Sequence, residues 1–299
     1  MQSVYEKNRA EDRKKLYMKC SEINIRDPFV LYENGKYYMY GTRAADFGKH
    51  TGGFDVYTSD DLKDWSGPTE CFDSEKYGLN REVNWAPEVH KYKDKYYMFA
   101  SFTQENGLRG TYSLVCESPL GPFRPHSAGA LTPDGWECID GTLYVENGVP
   151  YLVFCHEHTQ TVDGEMCLIQ LSDDLKKGIG HPKKMFTASS PWWADRKLPG
   201  EHYVTDGPFM YRTKAGTLLM MWSTFIKHKY AQCIAVSENG SISGDFLHLP
   251  PLIKDDGGHG MIFQAEKDLL LTFHSPNKTG LEHPCFVKVW DDGDRLKLI

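Results

Sequence analysis

The chain has 299 residues, of which 25% are charged and 40% hydrophobic, the composition of an ordinary globular protein with one large core or two domains. Its formal net charge of −7 argues against nucleic acid and anionic membranes as partners. No stretch of 18 apolar residues is present, so the sequence predicts no membrane-spanning helix.

Residues 1–20 are predicted to form a short helical or irregular lead-in to a single domain over residues 21–299. This segment is charged and lacks the apolar stretch of a signal peptide. The eight cysteines are scattered without a Cys-x-x-Cys pair, which argues against a zinc or redox motif and favours buried, reduced thiols. Together these features predict a cytoplasmic protein.

A hairpin pattern recurs five times along the chain. Each copy has a polar or small start, a short alternating strand, a turn such as Asn-Gly or Lys-Asp, and an apolar, often aromatic, strand. The copies cover residues 26–43, 86–103, 139–157, 205–225 and 258–277. A third strand is predicted after each hairpin, within residues 54–65, 111–123, 166–178, 232–246 and 285–299.

The regular order of these units predicts the architecture. Repeats of about 50 to 65 residues, each a small antiparallel sheet, are typical of propeller blades. We therefore predict an all-β fold, a five-bladed β-propeller with mostly antiparallel sheets of three to four strands around a central channel. A β-sandwich with chance similarity is the alternative, but a sandwich has no need to repeat the same three-strand order five times.

The starts of the five first strands carry four acidic residues and one histidine. The innermost strand of each blade lines the channel, so these residues should point into one pocket: Asp27, Glu88, Asp140, Asp206 and His259. Carboxylates brought together repel one another and shift each other's pKa values, a cost that favours function over packing. Taken singly, each acidic residue has the alternative interpretation of a turn cap or backbone anchor.

The ends of the second strands should lie at the same face, because each second strand returns antiparallel to the first. We expect four residues there to bind substrate together with Glu88: Arg43, His156, Thr224 and His274. The loops that follow them should form the rim of the pocket. Trp85 is expected either to stack on a sugar or to pack between blades. His156 and His158 share one strand face, which suits a metal pair, although hydrogen bonding at the rim is the preferred interpretation.

Five motifs, in this order, resemble glycoside hydrolase family 43, whose members are five-bladed β-propeller enzymes: RDPFVLY, NWAPEVH, IDGTLY, TDGPFMYR and GHGMIF. The likeness covers about residues 20–299. It implies an inverting hydrolase that removes arabinofuranose, xylose or a similar residue from plant-type oligosaccharides. We expect exo action, no required cofactor, and an oligosaccharide rather than a nucleic acid or a membrane as partner.

The resemblance also implies roles for the matching residues. Asp27 matches the general base, and Asp140 matches the carboxylate that orients the acid and tunes its pKa. The acid of the family is a Glu at the head of the fourth blade, where this chain has Asp206, which is one methylene shorter. Asp206 is expected to be the acid, with Glu201 on the preceding loop as the alternative. His259 matches a channel histidine that binds a water-ligated cation in relatives, so a calcium or sodium ion near it is an expectation.

Two other functions stay open on the sequence alone. A glycoside phosphorylase on a similar propeller would use one aspartate as acid and hold phosphate with Arg43, His156, His274 and Lys227. Three aspartates at the pocket mouth would repel phosphate, which disfavours that function. A non-catalytic carbohydrate-binding propeller would carry Asp206 as the trace of a lost acid.

Overall fold

The structure, a computed structural model, describes residues 17–48, 51–79, 82–194 and 202–299. Within these ranges the chain forms five antiparallel sheets, each built from four consecutive strands. The predicted all-β, five-bladed β-propeller is therefore confirmed, and every blade has a fourth strand where the sequence pattern indicated three. None of the helices in the described ranges has the length and apolar character needed to cross a membrane.

The first two blades occupy the N-terminal part of the described chain. The first blade contains β1 (Ile25–Glu33), β2 (Lys36–Arg43), β3 (Gly53–Ser59) and β4 (Trp65–Asp73). The second blade contains β5 (Asn84–Tyr92), β6 (Lys95–Thr103), β7 (Arg109–Cys116) and β8 (Arg124–Pro125). Three short 3₁₀ turns accompany them, at Cys20–Glu22, Ala44–Asp46 and Glu75–Tyr77.

The remaining three blades repeat this plan. The third contains β9 (Cys138–Glu146), β10 (Val149–His156), β11 (Glu165–Leu171) and β12 (Gly178–Thr187), with the short helix α1 (His158–Thr161) between β10 and β11. The fourth contains β13 (Asp206–Arg212), β14 (Leu218–Ile226), β15 (Lys229–Ser237) and β16 (Phe246–His248). The fifth contains β17 (Gly258–Gln264), β18 (Leu269–Ser275), β19 (His283–Asp291) and β20 (Leu296–Leu298).

The five first strands form the inner ring of the propeller, because each packs against the first strands of its neighbours. The ring closes where the first blade meets the fifth. There the backbone N–H of Ile25 donates to the carbonyl of Glu282 at 3.1 Å, and the Asn24 amide donates to the same carbonyl at 2.8 Å. Large apolar side chains fill the spaces between blades, including the fully buried Trp65 and Trp222.

Each first strand carries one extra residue at the same place. In the first blade the pair Arg26–Thr42 is followed by the pair Phe29–Tyr40, so β1 has a β-bulge relative to β2. The same shift recurs in the other four blades. We call the residue after the last regular pair the bulge residue, and its φ lies between 47° and 57° in every blade: Asp27, Ala86, Asp140, Gly207 and His259.

The bulges have a recognisable local sequence. The residue after each bulge residue is Pro or Gly in all five blades: Pro28, Pro87, Gly141, Pro208 and Gly260. Proline suits a bulge because it has no N–H to contribute to the ladder. A positive φ costs a residue other than glycine on the order of 1 kcal/mol, and such strain is concentrated at functional sites.

Candidate active site

A pocket of about 300 Å³ opens over the five bulges. The residue just before the bulge residue lines it in the first four blades: Arg26, Trp85, Ile139 and Asp206. Three bulge residues line it as well: Asp27, Asp140 and His259. The fold therefore brings the three predicted catalytic aspartates and the predicted channel histidine into one cavity.

The bulge residues are anchored to the neighbouring blade through their backbone N–H groups. Four of these groups donate to a second-strand side chain next door, Ala86 to Thr42 (2.8 Å), Asp140 to Ser101 (2.9 Å), His259 to Ser223 (2.7 Å) and Asp27 to His274 Nδ1 (3.1 Å). The corresponding residue in the third blade is Cys155, a poor acceptor. The N–H of Gly207 donates instead to Asp140 Oδ2 at 3.1 Å.

Asp27 is surrounded by groups that favour its ionised form. The hydroxyl of Thr42 donates to Asp27 Oδ2 at 2.8 Å, and His259 Nδ1 lies 3.1 Å from Asp27 Oδ1. Burial would raise the pKa of Asp27, but His259 and Arg26 outweigh that effect and leave the pKa below its ordinary value. The Arg26 guanidinium is fixed by the buried Glu282, at 2.7 Å. Asp27 is therefore a carboxylate at neutral pH.

Asp140 and Asp206 are shifted in the opposite direction. Burial raises the pKa of Asp140 well above its ordinary value, and the neighbouring charge of Asp27 adds to this. Burial, together with the negative charges of Asp140 and Glu157, raises the pKa of Asp206 to about 8. As a pair, Asp140 and Asp206 therefore hold a proton at pH values where Asp27 has lost its own.

Tyr230 and His274 connect the two sides of the pocket. The Tyr230 hydroxyl donates to Asp206 Oδ2 at 3.0 Å, and its ring stacks on that of His274 at 5.4 Å. Burial lowers the pKa of His274 to about 3, so this imidazole is neutral at neutral pH. Its Nδ1 accepts the N–H of Asp27, so its Nε2 carries the hydrogen and donates to Asn277 Oδ1 at 3.2 Å. His274 thus lies fully buried beneath Asp27 rather than facing substrate.

One wall of the pocket is a row of stacked groups. The Arg26 guanidinium lies 4.1 Å from the ring centre of Phe47, Phe47 stacks on Trp85 at 5.0 Å, and the Arg109 guanidinium lies 4.9 Å from the Trp85 ring centre. Arg109 is in turn held by ion pairs to Glu137 and Glu157. A sugar stacking on Trp85 would have to share the indole with Phe47 and Arg109.

Four of the predicted substrate-binding residues lie elsewhere. Arg43 pairs with Asp55 at 2.7 Å in a separate cavity, and His156 is hydrogen-bonded to Glu165 at 2.9 Å. Arg43, His156 and Thr224 each follow the second-strand residue that faces the bulges, so strand alternation turns them to the opposite face. Glu88 is two positions beyond the bulge residue Ala86, buried and 3.0 Å from His90.

The expectation of a cation near His259 finds no ready-made set of ligands. Among the residues that the structure describes, no group of three or more His, Cys, Asp or Glu side chains is arranged to hold a metal ion. Calcium takes six to eight oxygen ligands, whereas His259 Nδ1 already faces Asp27 and lies 3.8 Å from Asp140 Oδ2. Glu201, the alternative acid, lies outside the described residues.

Sequence reasoning did not single out Phe47, Arg109 or Tyr230, which line this pocket and make the contacts described above. All three belong to loops that the strand pattern placed at the rim. Arg109 is the first residue of the third strand β7, and Tyr230 is the second residue of the third strand β15. Each lies two residues before the start that the sequence pattern predicted for its strand. A third strand that begins at the active-site face is the signal that would have found them.

The comparisons with known proteins identify the family of the chain. The family model described as glycosyl hydrolases family 43 matches residues 21–287. An endo-arabinase structure from Bacteroides thetaiotaomicron VPI-5482 is 37% identical, with a TM-score of 0.85 over 94% of this chain and 99% of that one. A thermostable family-43 glycoside hydrolase is 26% identical, with a TM-score of 0.80 over 92% of each chain.

An endo-1,4-beta-xylanase from Bacteroides thetaiotaomicron VPI-5482 is 23% identical, with a TM-score of 0.78 over 95% of this chain and 96% of that one, a likeness of fold. No curated protein sequence matched the chain. With its family model covering most of the sequence, and with the propeller and its carboxylate pocket in place, the chain belongs to glycoside hydrolase family 43.

Proposed function

We propose that this glycoside hydrolase acts with inversion at the anomeric carbon, with Asp27 as base, Asp206 as acid and Asp140 as the group that tunes the acid. The observation that carries the proposal is the opposite shift of neighbouring carboxyls in one pocket. The pKa of Asp27 is lowered, whereas that of Asp206 is raised to about 8. Pairs of carboxyls whose pKa values are shifted in opposite directions perform the acid and base roles in glycoside hydrolysis.

Asp27 would activate the attacking water. A general base must be ionised when substrate binds, and Arg26, His259 and the Thr42 hydroxyl keep Asp27 in that form. In an inverting enzyme the base and acid carboxyls stand about 6.5–9.5 Å apart, which leaves room for the water between base and sugar. The water loses its proton to Asp27 as its oxygen bonds to the anomeric carbon.

Asp206 would protonate the leaving oxygen. Asp140 and Asp206 share the tendency to hold a proton, and their contacts decide where it rests. Asp140 Oδ2 accepts the N–H of Gly207, which can only donate, and this favours the ionised form of Asp140. We therefore assign the shared proton to Asp206, where the charge on Asp140 keeps it until the leaving oxygen takes it.

We propose an α-L-arabinofuranosyl substrate, with β-D-xylosyl and β-D-galactofuranosyl residues as alternatives. Support comes from the 37% identical structure named an endo-arabinase. We propose exo action, because the stacked row of Arg26, Phe47, Trp85 and Arg109 gives the pocket a solid wall on one side. A pocket closed by a wall suits the end of an oligosaccharide better than its middle.

Hydrolysis is favoured over phosphorolysis because three of the residues suggested to hold phosphate already have other partners or carry no charge. Arg43 is neutralised by Asp55, His156 is bound to Glu165, and His274 is neutral and buried under Asp27. A phosphate in the pocket would instead lie beside aspartates, at a cost in electrostatic free energy.

Release of 4-nitrophenol from α-L-arabinofuranoside, β-D-xyloside and β-D-galactofuranoside, with and without phosphate, tests this proposal. Wild type should release it without phosphate, and Asp27→Ala should abolish turnover. Asp206→Ala and Glu201→Ala, run on an arabino-oligosaccharide, identify the acid. The size of the first products from linear arabinan separates exo from endo action. Failure of wild type to cleave any sugar that it binds would leave a carbohydrate-binding propeller.

A further inference from the structure

Four blades contribute the residue before the bulge residue to the pocket wall, and the fifth does not. In the fifth blade that position is Gly258. A Cβ placed on Gly258 would lie 2.7 Å from ring carbons of Tyr230, closer than real Cβ contacts allow. The ring of Tyr230, from β15 of the fourth blade, thus fills the place where the fifth blade would present its own side chain.

Tyr230 is held rigidly in this place. It is 1% exposed, and its ring stacks on His274 and contacts Phe225 at 5.1 Å. Its backbone N–H donates to Asp256 Oδ1 at 3.3 Å, and its carbonyl accepts the N–H of Gly257 at 3.1 Å. A phenol fixed on both faces and at its backbone has one place for its hydroxyl, which is 3.0 Å from Asp206 Oδ2.

We propose that Tyr230 is a positioning residue for the acid: its hydroxyl holds Oδ2 of Asp206 so that the proton given to the leaving group sits on Oδ1. This inference rests on the proposed function of Asp206. In the step, the Oδ1–H bond of Asp206 breaks, the proton bonds to the leaving oxygen, and Tyr230 keeps its own proton and donates to the new carboxylate. Fixing the oxygen matters here because Asp206 is shorter than a glutamate, and a misplacement of about 1 Å can cost about a hundredfold in rate.

The test is Tyr230→Phe, with Tyr211→Phe as the matched control. Tyr211 makes the same kind of bond, donating to Asp291 Oδ2 at 3.0 Å, but outside the pocket. On an arabino-oligosaccharide, kcat of Tyr230→Phe should fall roughly tenfold to a hundredfold while KM changes little. On the 4-nitrophenyl glycoside, whose leaving group needs little acid help, the loss should be only a few fold. The alkaline limb of the pH profile should move to higher pH, because a hydrogen bond that favours ionised Asp206 is gone.

Gly258→Ala is the second variant, because it displaces the ring while keeping the hydroxyl. It should show the same loss on the oligosaccharide and the same mild effect on the nitrophenyl substrate. If Tyr230→Phe matches wild type and Tyr211→Phe in kcat and in its alkaline limb, the inference is wrong although the proposed function stands.

A readout without turnover keeps the two failures apart. The Asp206 carboxyl can be titrated by carbon-13 NMR, with its signal assigned from Asp206→Asn. In Tyr230→Phe the midpoint should move up, and in Tyr211→Phe it should not. Inactive wild type would refute the proposed function, whereas an unmoved midpoint in Tyr230→Phe would refute the inference about Tyr230.

Discussion

Replacing Asp206 by asparagine removes the proposed acid while keeping the shape of the side chain. With the ordinary carboxyl pKa of 3.8, roughly one molecule in 1,600 would carry the proton at pH 7, whereas a pKa of about 8 leaves roughly nine-tenths protonated. Burial and the charge of Asp140 thus raise the supply of acid at pH 7 by about three orders of magnitude. A positioned acid contributes typically about 10²–10⁴-fold to the rate.

We expect Asp206→Asn to lower kcat/KM on an arabino-oligosaccharide by about 10²–10⁴-fold at pH 7. The effect on a 4-nitrophenyl glycoside should be much smaller, since nitrophenol leaves without a proton. In wild type the alkaline limb of the profile of kcat/KM against pH should lie near pH 8, and in the variant it should disappear. Asp291→Asn, which removes a carboxyl that Tyr211 holds at the same 3.0 Å distance outside the pocket, is the control.

The same variant should unfold at a higher temperature than wild type at pH 8. Because the pKa of Asp206 is raised on folding, the folded state binds more protons than the unfolded state between pH 3.8 and about 8, and stability falls as pH rises through that range. Asparagine removes this loss, on the order of 5 kcal/mol at pH 8. An alkaline limb that persists in Asp206→Asn, or an equal loss on both substrates, would refute the assignment.

Three further predictions concern the surroundings of the pocket. Thr42→Val removes the hydroxyl that donates to Asp27 Oδ2. The free energy of unfolding, measured in urea, should fall by about 1–3 kcal/mol, and the acidic limb of the pH–activity profile should move to higher pH. An acidic limb that does not move would contradict the role of Thr42. Glu282→Ala leaves the partly buried Arg26 without its buried carboxylate partner and should cost about 3–5 kcal/mol, measured in the same way, whereas a neutral result would mean that water replaces Glu282. Burial lowers the pKa of His248 to about 4, so the folded protein loses stability as pH falls from 6.5 towards 4. His248→Phe should therefore be about 2 kcal/mol more stable than wild type at pH 4.5 and equally stable at pH 8. An equal shift in stability at both pH values would contradict this.

The architecture was predictable because its signals are local. Hairpin turns such as Asn34-Gly35 and Asn147-Gly148 adopt positive φ at both residues, as a two-residue turn requires, and they recur with the blades. Alternating apolar strands then determined which segments pair. The predicted sheets of three to four strands allowed for a fourth strand, but its position in each blade was not predicted; β8 and β16, for example, have only two or three residues, too few for a period to show.

The residue-level alignment of the blades failed where a bulge breaks the period of two. Matching Pro28 with Pro87 and Pro208 places Ala86 and Gly207, not Glu88 and Asp206, at the position of Asp27. Asp206 reaches the pocket all the same, from the position before. Arg43, His156 and Thr224 lie one residue after the second-strand position that faces the bulges, so their side chains are on the opposite face of the sheet.

The start of a third strand indicates that Tyr230 lies near the active-site face, but nothing in its own blade's pattern indicates that it contacts Asp206. Its place depends on Gly258 of the next blade having no side chain, and its partner Asp206 is on the first strand of its own blade. Such a contact is set by three-dimensional packing between blades and not by spacing along the chain. The raised pKa of Asp206 depends likewise on burial, which no motif records.

The stereochemistry of the first product tests the central claim most directly. With wild type and a 4-nitrophenyl α-L-arabinofuranoside, or whichever glycoside of the panel is cleaved, proton NMR can follow the anomeric signals before mutarotation. A water activated by Asp27, with Asp206 protonating the opposite face, predicts that the inverted anomer appears first. First appearance of the retained anomer would mean a covalent intermediate on one of the carboxylates and would contradict the assigned roles.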